Sequence, residues 1–430
     1  MTALDSVRRT RTTVMVGVSA VVLVLAAVIG YAGVNALRRY EGATKVGNDA
    51  LPIPATPVGM LATIDDQNVL GSLTLMVMLP DGAAGGSIVS VPVSADSTLG
   101  FGDVRIPFSE AYATEGAEGL RFAVESALSI TLDVAMVATT AETAALLEPL
   151  GTVAVELPAA LGDDFPAGVN QLGADQLVQV LNHRVDGQAD RTRIPAAEAV
   201  WKAVAAGAGA TTVPAGPTSV AVPPTTVVPD GGQAATSSTS SPAPSSLAAI
   251  LARLLQGPIG LRSLVTAPLD TESNPDGEDV EQLDRGDAIL VFASIAPRSV
   301  STPAAGLTYR IEAPPGYLAE VKRVIEVVVA YGGNVKSVYL DGAVQPETVF
   351  LVLDGRIEEQ AKASKTDTAF KSVRFDIPDR AYEDIDVVLQ LGTEFLTAAA
   401  ADLATTTTAT TTTTAAASTT TVAATTTTGG

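Results

Sequence analysis

Residues 132–157 read LDVAMVATTAETAALLEPLGTVAVEL, and this stretch sets the fold class. Leu132–Val137 is an apolar run of strand length. Thr139 followed by Glu142 has capping-box spacing, which starts a short helix ahead of Ala144–Leu147. Val153, Val155 and Leu157 then alternate with Ala154 and Glu156, the period of a half-buried strand. Strand, helix and strand in so short a span predict an α/β layer structure.

The same grammar extends in both directions. Upstream, Leu73–Leu79 and Ile88–Val93 read as strands joined by the Gly-rich turn Asp81–Gly86, and Leu120, Ala123, Val124, Ala127 and Leu128 share one helical face. Downstream come helices over about Asp175–Arg184 and from Pro195, the second burying Ala197, Val200, Trp201 and Val204. Residues 207–246 are Gly, Thr, Pro and Ser almost throughout, too polar to fold. Ser246 is an N-cap for a helix carrying Leu247, Ile250, Leu251, Leu254 and Leu255, and Ala288–Ile295 reads as a strand. A second unit, 307–397, reads as strand Leu307–Ala313, helix Tyr317–Ala330, strands Val335–Leu340 and Val349–Leu353, helix Glu358–Ser364, and strands near Val373 and over Ile385–Leu391. In its first helix Leu318, Val321, Ile325, Val328 and Val329 are expected inward, with Lys322, Arg323 and Glu326 outward. The tail 398–430 is nearly all Thr and Ala, a disordered composition.

Val14–Val34 is 21 residues without a charge, bracketed by Arg11 and Arg38. At a rise of about 1.5 Å per residue it matches the hydrocarbon thickness of a bilayer. The expected layout is therefore a cytoplasmic tail at 1–13, a single transmembrane anchor at 14–36, a stalk at 40–57 carrying Pro52, Pro54 and Pro57, and everything beyond outside the cell. A cleaved signal peptide ending near Val34-Asn35-Ala36 is the competing reading; the length of the stretch and the following Arg38-Arg39 favour retention. Basic residues balance across the span (Arg8, Arg9, Arg11 against Arg38, Arg39, Lys45), so orientation rests on the Thr/Pro-rich segments, which suit an exported region.

Composition removes several function classes. No cysteine is present, which excludes disulfides, thiolate nucleophiles and cysteine metal sites, and the lone His183 cannot build a multi-histidine zinc centre. The net charge is −21. With Arg8, Arg9, Arg11, Arg38, Arg39 and Asp5 set aside, residues 40–430 hold 21 basic and 46 acidic side chains, a net of −25. Such a surface repels nucleic acid, which is excluded as a partner.

The element order resembles the LytR–CpsA–Psr family of cell-envelope proteins followed by a LytR C-terminal domain. Met60-Leu61-Ala62-Thr63-Ile64-Asp65-Asp66 is similar to the family's opening strand, Leu73–Val77 to its next strand, and Ser90-Val91-Pro92 to the segment before its Arg-Asp pair. Glu110–Ala113 with Gly119-Leu120 and Val124-Glu125 resembles its "AYA…G…AV" helix, Gly151–Pro158 its "GGVDVDVP" strand, and Leu177–Arg184 the helix before its arginine-rich turn. Asp386–Phe395 is similar to the "DVVVVLGADF" ending of the C-terminal domain. The likeness places an LCP-like domain at 58–300, with 207–246 as an insertion, and the LytR C-terminal-like domain at 307–397.

That resemblance implies a mixed central sheet and transfer of glycopolymers from a polyprenyl-pyrophosphate carrier to the cell wall, with arginines and an aspartate-held Mg2+ gripping the diphosphate. The implied charges are mostly missing. Gly71 and Leu73 stand where the family has an arginine and an aspartate, Val93 and Ser94 replace its Arg-Asp pair, and Asn182 and a position near Ala196 replace two arginines of the turn. One lost cationic donor alone costs about 3 kcal/mol of transition-state stabilisation. The expectation is a degenerate, non-catalytic member that binds wall precursors, a polyprenyl-phosphate lipid, a cell-wall polymer or a partner protein; the alternative is an active phosphotransferase with relocated residues.

Arg184, Arg191 and Arg193 are the candidate phosphate ligands, and a solvated loop pairing with Asp186 and Asp190 is their bland explanation. Asp65 and Asp66 are the candidate metal ligands, since hard cations favour carboxylates, and a polar turn explains them equally well. Asp163-Asp164 reads as a turn, Gly82–Gly86 lacks the following lysine of a phosphate loop, and Trp201 reads as core.

Overall fold

The structure is a computed structural model that describes residues 50–98, 105–184, 189–207, 246–269, 279–302, 305–364, 366–370 and 373–401. The anchor at 14–36, most of the stalk, the low-complexity segment 208–245 and the tail from 402 lie outside the described residues. Among the described residues, no helix is long and apolar enough to cross a membrane. Leu51–Pro378 and the described residues from Tyr382 onward form one compact unit.

In chain order its elements are β1 (Val58–Ile64), β2 (Leu70–Met78), β3 (Gly86–Val91), α1 (Phe108–Leu128), β4 (Val134–Thr139), α2 (Thr140–Leu147), β5 (Val153–Leu157), β6 (Gly168–Leu172), α3 (Ala174–Asn182), α4 (Ile194–Gly207), α5 (Leu247–Leu254), β7 (Ile259–Ser263), β8 (Thr266–Pro268) and β9 (Glu281–Leu283). The chain continues through α6 (Arg285–Ile295), β10 (Thr308–Glu312), α7 (Leu318–Ala330), β11 (Asn334–Tyr339), β12 (Thr348–Val352), α8 (Gly355–Ala363), β13 (Val373–Asp376) and β14 (Val387–Gln390). The fold class is mixed α/β, as expected.

The first sheet has the order β4-β1-β2-β3-β7. β1, β2 and β3 pair antiparallel, whereas β4 and β7 join parallel at the two edges. Both faces are buried. Met60, Leu73, Leu75, Val77, Val89 and Val91 pack with α1 and α6; Leu61, Met76, Met78 and Ile88 pack with α2, α3, α4 and α5. Period-two strands with apolar residues on both faces need helices on both sides, and the chain supplies them.

The second sheet, β11-β10-β14-β12-β13, is also mixed. Val321, Val324, Ile325 and Val328 of α7 bury against it, while Leu318 is 48% exposed, contrary to its expected inward place. Leu318 is the first residue of the helix, where the stripe has not yet met the sheet.

The strand expected at Ala288–Ile295 is the helix α6. Asp284 caps it by accepting the Asp287 N–H at 3.0 Å. Gly286, Ala288, Leu290, Val291, Phe292 and Ala293 are all buried, because α6 lies between the first sheet's helical layer and α7 with β11. A helix enclosed on most sides has no polar stripe, and its apolar run is indistinguishable from a buried strand by period.

Within residues 51–57, expected as the end of the stalk, two residues are buried: Ile53 packs with Ile385 and Val388, and Thr56 O accepts from Ser299 Oγ at 3.2 Å. A helix at 393–401 runs past the boundary expected at 397.

Candidate functional site

A cavity lies where β2 and β3 face the end of α3 and the start of α4, and of the candidate residues Arg193 lines it. Ser72, Thr74 and Ser90 occupy alternate positions on the α4 side of the two strands and bring hydroxyls to one surface. Opposite them stand Leu181, Arg193, Ile194, Ala197 and Trp201. Together with Leu73, Val91, Pro92 and Val93 they enclose a cavity of about 40 Å³. That is room for about one water molecule and less than a single isoprene unit.

Among the described lining residues, Arg193 is the one cationic side chain and no acid is present. It sits at the end of a 3₁₀ turn, Asp190–Arg193. Its guanidinium donates to Gly71 O at 2.7 Å, His183 O at 3.3 Å and, at the limit of a hydrogen bond, Leu181 O at 3.5 Å. Arg193 therefore fastens the end of α3 to the start of β2. Arg184 lies on the exposed turn after α3 and does not line the cavity. Arg191 belongs to the same 3₁₀ turn as Arg193, and its side chain lies outside the described residues.

Asn182 is the last residue of α3 and does not line the cavity. Its amide lies against Gly71, and a Cβ placed on Gly71 would fall 2.6 Å from Asn182 Cγ. Both amide atoms of Asn182 and the Nε2 of His183 are shielded from solvent and have no hydrogen-bond partner among the described residues. Neither was singled out as a binding group from the sequence, where Asn182 was noticed only for the arginine it replaces.

Asp65 follows β1 and shapes the turn into β2: its Oδ1 accepts the N–H groups of Gln67 and Val69, both at 2.9 Å. Asp66 is exposed beside it. Asn68 adopts a left-handed conformation (φ 61°) and accepts the Tyr112 hydroxyl at 2.7 Å. One oxygen of Asp65 is thus committed to the turn, and among the described residues no group of three or more His, Asp or Glu side chains could hold a metal ion. A Mg2+ held here would rest on Asp65 and Asp66, with water or ligand oxygens completing its shell.

A second polar cluster lies at the β7 edge of the same sheet, next to β3. Arg262 of β7 faces Asp287 of α6, whose Oδ2 accepts the Val265 N–H at 3.3 Å, and Asp284 pairs with Lys322 of α7. Burial pushes the Arg262 guanidinium down and the Asp287 carboxyl up from their ordinary values. Ser263 Oγ donates to Glu198 Oε1 at 2.5 Å, tying β7 to α4.

No family model and no curated protein matches the sequence. Solved structures similar to this one include LytR–CpsA–Psr proteins. TagV from B. subtilis is 14% identical with a TM-score of 0.39, the match covering 58% of this chain and 100% of that one. A LytR-Csp2A-Psr enzyme from Actinomyces oris is 15% identical with a TM-score of 0.37, covering 58% and 97%. The LytR-CPS2A-psr family protein YwtF (TagT) with bound octaprenyl pyrophosphate lipid is 13% identical with a TM-score of 0.36, covering 63% and 89%.

Proposed function

We propose that this chain is a membrane-anchored, extracytoplasmic cell-envelope protein that binds a polyprenyl-phosphate lipid without turning it over. The domain layout of the reading is an LCP-like unit at 58–300 and a LytR C-terminal-like unit at 307–397, held at the outer membrane face by the anchor at 14–36. The observation that carries the non-catalytic half is Arg193. It is the one cation among the described lining residues, and its guanidinium is engaged by the carbonyls of Gly71, His183 and Leu181. Transfer from a diphosphate carrier requires charge neutralisation of the leaving group, and forked arginines free to reach its oxygens supply it. The binding half is supported by the motif order in the sequence and by a mostly apolar cavity edged with hydroxyls.

The test uses the full chain in lipid nanodiscs with a polyprenyl-pyrophosphate-linked glycopolymer, peptidoglycan acceptor and magnesium. Saturable lipid binding with no transfer is expected. Transfer abolished by Arg184→Ala establishes the phosphotransferase alternative instead, and absence of any lipid binding removes both. Anchoring is tested separately: alkaline carbonate should leave the full-length chain in the membrane pellet, and a reporter fused after Gly430 should be extracytoplasmic.

A further inference from the structure

Beyond the lipid reading, we propose that the second sheet carries a binding face for an uncharged glycan strand. The pairing register fixes which side chains share that face. Tyr339 of β11 pairs with Glu312 of β10, Glu312 with Gln390 of β14, Gln390 with Val349 of β12, and Val349 with Arg374 of β13. Residues in register project to the same side, so one row of side chains crosses the whole sheet. Four strand spacings make the row about 19 Å long. Tyr309, Ile311, Phe350, Val387 and Leu389, at the alternating positions, are buried in one cluster with α7 on the opposite face.

The row is polar and held in place. The Arg310 guanidinium, on the same face of β10 as Glu312, lies over the rings of Tyr382 and Tyr339, 4.4 and 5.3 Å from their centroids. Its Nε donates to Glu312 Oε1 at 2.7 Å, and Gln390 Nε2 donates to Glu312 Oε2 at 3.1 Å. The terminal nitrogens of Arg310 and the Oε1 of Gln390 have no hydrogen-bond partner among the described residues, and neither group is shut away from solvent. A fixed fork of donors therefore stands beside an oriented amide acceptor.

The chemistry of the face selects its occupant. Arg310 and Arg374 are balanced by Glu312 and Asp376, so the face carries no net charge, within residues 40–430 of net −25. A polyanion is not attracted to it and is repelled by the acidic remainder. An extended peptide adds to a strand edge through main-chain bonds, whereas this row crosses the strands and offers side chains only. A lipid tail needs apolar surface, and Val349, the one aliphatic residue of the row, is buried. Sugar hydroxyls each donate and accept, which matches guanidinium donors and carboxylate and amide acceptors spaced along a line.

The experiment titrates the full-length protein in detergent, by calorimetry, with neutral tetrasaccharides of β-linked glucose, N-acetylglucosamine and mannose, with the matching monosaccharides, and with tetragalacturonate. At least one neutral tetrasaccharide should bind, about tenfold or more tightly than its monosaccharide, because a single ring meets only part of the row. Arg374→Ala and Gln390→Ala should each weaken that binding about tenfold, the worth of one hydrogen bond to the ligand. Arg374 is exposed, so its variant should melt as the wild type does and separates lost contact from lost folding. Absence of binding by every neutral tetrasaccharide overturns the proposal. Tetragalacturonate binding as tightly as the neutral chains overturns it too, since the face would then read charge. Binding untouched by both variants places the glycan elsewhere and has the same effect. Both variants should bind prenyl phosphates as the wild type does, so this proposal and the lipid-binding reading fail separately.

Discussion

Asn182 stands in the space that a side chain on Gly71 would need. A Cβ built on Gly71 falls 2.6 Å from Asn182 Cγ and 3.0 Å from its Cβ, and no backbone strain is involved, since Gly71 is not among the residues of positive φ. The glycine is required by its neighbour, not by its own conformation. Gly71→Ala should therefore destabilise the protein by about 1–3 kcal/mol through overpacking. Asn182→Ala, which removes two unsatisfied buried atoms, should be nearly neutral or stabilising. In the double variant most of the Gly71→Ala cost should vanish, a coupling of about 0.5–3 kcal/mol in urea melts. Additive single effects would mean that the two residues do not share this space.

Arg193 and Arg184 look alike in the sequence and differ sharply in place. Arg193→Ala removes a charged donor from Gly71 O and His183 O, and should cost about 1.5–3 kcal/mol. Arg184→Ala, on an exposed turn, should change stability by less than about 0.5 kcal/mol. Chemical denaturation of the two variants side by side checks this, and equal effects would contradict the clamp.

The parts of the fold that local chemistry decides were legible. Thr139 and Glu142 form the expected capping box, with the Thr139 N–H donating to Glu142 Oε2 at 2.9 Å, and Val153–Leu157 alternates buried and exposed residues as read. Ser246 caps α5 as expected. Strands β6 and β8 left little trace, because Gly168–Leu172 alternates weakly and Thr266–Pro268 is three residues ending in proline. The helix α6 was misread because enclosure by tertiary packing erased its amphipathic period.

The site was less legible, since it is made by contacts between segments far apart in sequence. Of the arginine run 184–193, Arg193 lines the cavity and Arg184 does not, and their spacing does not say which guanidinium would. Asn182 and Gly71 carry no motif. Their importance comes from α3 ending against β2, which no local pattern encodes.

Asp284 does two jobs that substitution can separate. Its side chain caps α6 through the Asp287 N–H and pairs with Lys322 of α7. Asp284→Ala loses both and should cost about 1–2 kcal/mol. Asp284→Asn keeps the cap, loses the ion pair, and should cost at most about 1 kcal/mol. Thermal melts that rank Asn below Ala would reverse this assignment.

Asp287 gives stability a pH dependence whose sign follows from its surroundings. Burial raises its carboxyl above the ordinary value of 3.8 and Asp284 adds to that, while the Val265 N–H, Lys322 and Arg262 pull it down without cancelling the rise. A carboxyl raised in the folded state holds its proton longer there than in the unfolded chain. Its contribution is thus complete below the unfolded value, about 3.9, and is lost as the pH climbs through the raised folded value. Asp287→Asn keeps an oxygen for the Val265 N–H and cannot ionise. The variant should gain on the wild type as the pH rises across that window and hold a constant difference above it, measured as urea midpoints over a pH series. A gap that instead widened toward acid would mean that the attraction of Arg262 and Lys322 outweighs the burial of the carboxylate.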